Sequence, residues 1–239
     1  MQNFVITLDP QGPRFAAFRS VNSHLPFHIA QAVRGRDLSP EARLSQGLVT
    51  REVLEARAST DGEIGCAASH RALWHESMRL NQPFLILEDD VITHPQIMMR
   101  IAQIDFPFDV IFLSVNTDTL LATRSPEGVR EFSSFADRYP PPERIAQILA
   151  QTDFSHITFR PVLHAFGLSC YLVSPEGAAK LAKRVFPLRL DAVQITGLPG
   201  VEVRGTSIDR RMNALYADLR AFVVRPFLAW SPNLESSTR

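Results

Sequence analysis

Cysteine is nearly absent: Cys66 and Cys170 are the only two in 239 residues. Two thiols are too few for a disulfide framework, and their wide separation carries no metal-ligand spacing, so a reducing compartment is expected and both should pack as small apolar residues. An excess of either charge is also missing. Lys plus Arg and Asp plus Glu each number 25, which removes the basic surplus of a nucleic-acid binder and requires any anionic ligand to be held by local arrangement. No apolar run is long enough to span a bilayer, and no signal-peptide core precedes the first strand. A soluble, cytoplasmic chain is expected, in contact with a membrane only peripherally. No Gly-rich phosphate loop stands beside the first strand, where Gly12 is alone.

What is present is a core. An apolar content of 45% over this length supports a single domain spanning residues 1–239. Asn3 to Leu8 reads as a first strand, closed by Asp9-Pro10-Gln11-Gly12-Pro13. His28 to Val33 reads as a second strand, and Pro40 to Arg57 has helical spacing. Thr60-Asp61-Gly62-Glu63 has the spacing of a capping box and predicts a helix from about Asp61 to Leu80, with Cys66, His70 and Trp74 on one face. Helices are expected at Pro95 to Ala102 and Glu143 to Gln151. Strands are expected at Val110 to Ser114 and Leu168 to Val173. Asn116 to Phe159 is polar and Pro-rich, long for a plain connection. Ser174 and Pro175 predict a helix through Val185. Pro187 to Gly205 is irregular, Ser207 to Leu219 reads as a last helix, and Pro226 should confine a last strand, Ala221 to Ala229, to an edge or bulge. This alternation predicts an α/β sandwich with a mainly parallel sheet.

The richest segment is Phe84 to Val91, an apolar strand run that ends in Glu88, Asp89 and Asp90. In an extended chain alternate side chains share a face, so Glu88 and Asp90 should project together and Asp89 away. Three carboxylates at the end of a buried strand repel one another and resist desolvation, so a metal, an Arg or a Lys is expected beside them. A solvated turn is the plainer alternative.

The order of the segments resembles glycosyltransferase family 25, the lipooligosaccharide and procollagen galactosyltransferase group. The resemblance is carried by Ile6-Thr7-Leu8-Asp9 with Arg14, by Gly62-Glu63-Ile64-Gly65-Cys66-Ala67-Ala68-Ser69-His70 with Ala72-Leu73-Trp74, by Leu87-Glu88-Asp89-Asp90-Val91, and by Gly167 with Tyr171-Leu172-Val173-Ser174. Asp209 and Arg225-Pro226-Phe227-Leu228 match the family's late aspartate and final strand. The chain departs from the pattern at Pro10-Gln11-Gly12-Pro13, where a more basic turn is usual, and at Arg34, where an acidic residue is common.

The resemblance implies a GT-A-like, Rossmann-type three-layer sandwich, with a donor-binding half at about 1–115 and an acceptor-side half at about 116–239. It implies inverting transfer of a sugar, galactose favoured, from a nucleotide diphosphate such as UDP-galactose to a glycan or glycolipid acceptor such as lipooligosaccharide. Mn²⁺ or Mg²⁺ would be held by Asp90 and Glu88 and neutralise the departing diphosphate. Thr7, Asp9, Arg14, Ser69, His70, Glu88 and Asp89 are the implied donor contacts. Asp209 is the implied catalytic base, with Asp191 in reserve. Each has a plainer alternative: His70 as packed core, Arg14 as a solvated turn residue, Asp209 as a helix N-terminal acid. Glu63 is assigned to the cap. Two rival functions stand beside the transferase: a nucleotidyltransferase, and a catalytically silent relative that binds a glycan or a protein.

Overall fold

A computed structural model describes residues 1–195 and 200–233 of the chain. In chain order the elements are β1 (Gln2–Thr7), α1 (Pro13–Val21), β2 (His28–Gln31), a 3-10 turn (Gly35–Asp37), α2 (Pro40–Ser45), α3 (Arg51–Glu55), α4 (Asp61–Leu80), β3 (Phe84–Glu88), β4 (Ile92–Thr93) and α5 (Ile97–Ile101). There follow β5 (Val110–Phe112), β6 (Leu121–Arg124), β7 (Arg130–Ser133), α6 (Pro142–Gln151), β8 (Thr158–His164), β9 (Cys170–Val173) and α7 (Pro175–Arg184). The last are β10 (Val193–Gln194), β11 (Glu202–Val203), α8 (Ile208–Asn213), β12 (Ala221–Arg225) and β13 (Ala229–Trp230).

Nine strands form the central sheet in the order β2-β1-β3-β9-β5-β12-β8-β6-β7. Six of them (β1, β2, β3, β5, β6, β12) run one way and β7, β8 and β9 run the other. The expected mainly parallel direction is therefore present. Most neighbouring pairs are nonetheless antiparallel, because β9 inserts between β3 and β5 and a three-strand extension closes the far edge. The sheet interleaves the two halves of the chain: β9 and β12 come from the second half and flank β5 from the first.

Alternation along the central strands sorts the core into two layers. Phe84 and Ile86 of β3, Val110 and Phe112 of β5, and Tyr171 and Val173 of β9 pack with α4, α7 and α8. Leu85 and Leu87, Ile111, and Cys170 and Leu172 pack on the other face with α1, α5 and α6. Phe84 through Leu87 are wholly buried. At about 1.5–3 kcal/mol for each such side chain, this strand is fixed in depth and register, and its end is fixed with it.

Helix α4 forms as its sequence predicts. The Thr60 hydroxyl accepts from the Glu63 amide at 3.1 Å, and the Glu63 carboxylate accepts from the Thr60 amide at 2.9 Å. The helix stops at Asn81, whose left-handed backbone (φ 49°) turns the chain into β3. Its first turn lies against the loop after β2 at backbone contact. A Cβ on Gly65 would sit 2.5 Å from the Val33 carbonyl oxygen, and one on Gly35 1.8 Å from that of Asp61. Only glycine allows that approach.

Several expectations are corrected. Pro226 does not mark an edge: β12 lies inside the sheet between β5 and β8, and ends at Arg225, before the proline that could not donate to the ladder. The helix expected over Ser207 to Leu219 ends at Asn213 and continues as turns. Pro40 to Arg57 forms two short helices, each opened by a side-chain cap from Ser39 or Thr50. The Asn116 to Phe159 excursion contains the β6/β7 hairpin, and β8 begins at Thr158. The irregular reading of Pro187 to Gly205 falls partly on 196–199, outside the described residues. Around that gap, β10 and β11 pair.

Candidate functional site

The carboxyl ends of the parallel neighbours β1 and β3 open into a cleft of about 730 Å³. Ile6 pairs with Glu88 at this end of the ladder. The first turn of α1, the loop after β2, the first turns of α4 and Asn233 also line it. A volume of this order suits a small organic ligand or cofactor.

Beyond Glu88 the strand gives way to a turn, and strict alternation ends with it. Asp89 and Asp90, expected on opposite faces, instead share Arg14. Its Nε donates to Asp89 Oδ1 at 2.6 Å, and its Nη2 lies 3.5 Å from Asp90 Oδ2. Thr7 Oγ1 donates to Asp89 Oδ2 at 2.6 Å, and Ser231 Oγ donates to Asp90 Oδ2 at 2.9 Å. Asp90 Oδ1 is buried with no hydrogen-bond partner among the described residues. Burial first, then the charge of Glu88, push the Asp90 carboxyl up to about 6 against the pull of Arg14. An orphaned buried carboxylate oxygen in a cleft fits a cation-binding role.

Glu88 turns instead toward α4. Its Oε1 lies 3.3 Å from His70 Nε2 and 3.9 Å from Cys66 Sγ. Burial would raise its pKa, but the His70 contact and the Arg14 charge outweigh it and hold the carboxyl below its usual value. His70 Nδ1 lies 2.9 Å from the Tyr171 hydroxyl, which also accepts from Trp74 Nε1 at 2.9 Å. Cys66, His70 and Glu88 are close enough to suggest a metal group, with ligand atoms within 4.8 Å of one another. The donor chemistry disfavours it. Trp74 Nε1 can only donate, and among the described residues the one arrangement that also gives the Tyr171 proton an acceptor sends it to His70 Nδ1, which leaves the imidazole proton on Nε2, where a metal would need a lone pair. The Cys66 thiol is also pushed well up, by burial and by the charges of Glu88, Asp209 and Glu63, and so resists becoming a thiolate.

The remaining expected residues divide. Thr7, Asp9, Arg14, Ser69, His70, Glu88, Asp89 and Asp90 all line the one cleft, although 83 positions separate the first from the last. Ser69 also ties its walls together, accepting from the Val33 amide at 2.8 Å and donating to the Gly65 carbonyl at 2.7 Å. Asp9 is exposed and its Oδ1 accepts from the Gln11 amide at 3.0 Å, an Asx turn. Asp209 stands beside the cleft rather than among its lining residues. Its Oδ2 accepts from the Gly167 amide at 3.1 Å, and its Oδ1 from Ser207 Oγ at 2.6 Å and the Arg210 amide at 2.8 Å. Its charge reaches Cys66 and Tyr139. Asp191 is exposed and paired with Arg211 at 3.1 Å. Glu63 is the cap it was assigned to be. Ser231 and Asn233 went unnoticed in the sequence, and no local pattern marks them. Ser231 meets Asp90 across 141 positions.

The sequence model described as Glycosyltransferase family 25 (LPS biosynthesis protein) matches residues 1–194. A protein named Glycosyltransferase 25 family member, from Aedes aegypti, is 36% identical over 78 residues, covering 30% of this chain and 13% of that protein, so the match spans a small part of the relative's length. Among solved structures, the crystal structure of A197 from STIV is 10% identical with a TM-score of 0.37, covering 93% of this chain and 81% of that one.

Proposed function

The chain belongs to glycosyltransferase family 25, and from that premise we propose that it is an inverting glycosyltransferase whose cleft binds a nucleotide-sugar donor, UDP-galactose favoured, and passes the sugar to a glycan or glycolipid acceptor. The observation that carries this reading is the convergence of Thr7, Arg14, Ser69, His70 and the Glu88-Asp89-Asp90 strand end on one cleft of nucleotide-sugar size. Buried polar groups of that density in a concavity serve a ligand more than a core.

Asp90, with its unpartnered Oδ1, is the residue suited to hold a divalent cation, with Glu88 as the second acid of the strand end. Such an ion, Mn²⁺ or Mg²⁺, would supply charge neutralisation for a diphosphate leaving group. The chain's own residues do the remainder. Arg14 keeps Asp89 and Asp90 paired and adds a positive charge at the cleft. Asp209 is the proposed base: its carboxylate is oriented by three donors on the side of the cleft bounded by Cys66. In the transfer the acceptor oxygen bonds to the anomeric carbon, the bond from that carbon to the diphosphate oxygen breaks with its electron pair, and the acceptor proton passes to Asp209.

Turnover of a nucleotide-sugar panel, with and without Mn²⁺ and with a chelator, tests the proposal. Release of nucleoside diphosphate from one donor, dependent on the cation, is expected. Calorimetry with UDP should show affinity that falls in chelator and returns with the ion. Binding of UDP without turnover of any donor would favour the silent relative.

A further inference from the structure

The chain Trp74, Tyr171, His70, Glu88 joins three elements that meet only in the folded protein. Trp74 and His70 lie one turn apart on α4, Tyr171 stands on β9, and Glu88 ends β3. The inner three side chains are all but solvent-free, at 0%, 0% and 1% exposure. One arrangement gives every proton among them an acceptor. The indole N–H is a donor without acceptor capacity, so the Tyr171 oxygen receives it, and among the described residues the phenolic proton has His70 Nδ1 as its acceptor. The imidazole proton is then on Nε2, 3.3 Å from Glu88 Oε1. Glu88 Oε2 has no hydrogen-bond partner among the described residues, and Glu88 lines the cleft with 32% of its side chain exposed.

We infer that Trp74, Tyr171 and His70 are positioning residues that fix the His70 tautomer and ring plane so that Glu88 is held by Oε1 and presents Oε2 to a hydroxyl-bearing group of the ligand. The inference rests on the donor-site reading of the cleft. Three buried groups that each have one satisfied arrangement make the array costly to rotate, since any turn of the ring leaves a buried donor or acceptor without its partner. A packed core histidine alone would not require the indole and phenol to point in this order.

The full-length chain labelled with ¹⁵N-histidine provides the test, by long-range proton–nitrogen correlation spectra. His70 should show a bare Nδ1 and a protonated Nε2 in the ligand-free protein, and keep them when Zn²⁺ is added. Tyr171→Phe, which keeps the ring and removes the hydroxyl, should broaden or change that pattern. Trp74→Phe should disturb it less, because Tyr171 can still donate. In UDP calorimetry the losses from Tyr171→Phe and Glu88→Gln should be non-additive, with a coupling of about tenfold between residues joined only through His70. A protonated Nδ1 in the unmodified protein, or strictly additive losses, would overturn the inference. If the unmodified chain binds no UDP, the donor-site reading falls and the spectrum alone judges the tautomer lock. If Tyr171→Phe does not fold, the unmodified spectrum and the Trp74→Phe variant still decide.

Discussion

Arg14 Nε lies 2.6 Å from Asp89 Oδ1, tying the first turn of α1 to the end of β3 across 75 positions. The contact is charge-assisted and part-buried, so it sets the geometry of the acidic cluster as well as its charge. Arg14→Met is expected to weaken UDP binding by about tenfold to a hundredfold, the range for losing a hydrogen bond to a charged group. Arg14→Lys should recover only part of that, because one ammonium cannot span two carboxylates as the guanidinium does. Equal affinity in all three proteins would separate Arg14 from the ligand.

Asp90→Asn is expected to abolish cation-dependent transfer with folding intact. Burial and Glu88 already push this carboxyl up to about 6, so the neutral amide relieves a strained charge and should melt no earlier than the unmodified protein. Transfer rate and melting temperature on one preparation check both halves. Near-normal cation-dependent turnover would remove Asp90 from the cation site.

Asp209→Asn should lower transfer by about two to four orders of magnitude with donor affinity little changed, the range for losing general-base assistance. The variant keeps one acceptor oxygen and turns the other into an NH2 donor, so it must give up either the Gly167 amide or the Ser207 and Arg210 donors, and a stability loss of about 1–3 kcal/mol is expected alongside. A less stable but fully active variant would return the role of base to another carboxylate.

Asp109 provides a pH test away from the cleft. Its side chain has no solvent exposure and meets Lys180 Nζ at 2.6 Å, Arg220 Nη2 at 2.9 Å and the Arg220 amide at 2.8 Å. Burial alone would raise its pKa, but these donors outweigh it and hold the carboxyl below the ordinary value. A depressed folded-state value means the stabilisation is fully present above the unfolded carboxylate value, about 3.9, and is lost as pH falls through the folded one. Asp109→Asn should therefore cost about 3 kcal/mol or somewhat less at pH 7, since Lys180 and Arg220 are part-exposed and screened. The gap in urea midpoint between variant and parent should narrow toward pH 3. A gap that stays constant would mean the carboxylate's charge is not what stabilises the fold.

What was legible in the sequence shares one property: it depends on neighbours a few positions apart. Thr60 and Glu63 satisfy each other's backbone amides, so the start of α4 could be placed. The run from Phe84 to Leu87 buries itself on both faces, and its acidic end had to surface. Helix α7 was set by Ser174 at its cap and Pro175 at its first turn. Most segments that line the cleft were found in this way, Asn233 excepted.

The tertiary structure decided how those segments face one another. The β6/β7 hairpin has a mostly exposed outer strand, so no apolar alternation announced it. Period-two alternation misplaced Asp89 and Asp90 because the strand ends at Glu88, and the orientation of the next two carboxylates was set by Arg14 and Ser231, which approach from distant parts of the chain. The direction of the hydrogen bonds from Trp74 to Glu88 was likewise out of reach, since it required β9 to insert antiparallel between β3 and β5 and bring Tyr171 to α4. Short-range hydrogen bonding and side-chain periodicity are properties of a segment and can be read from it. The partners of a buried polar group belong to the folded chain, because desolvation forces each group to find whichever donor or acceptor the topology delivers.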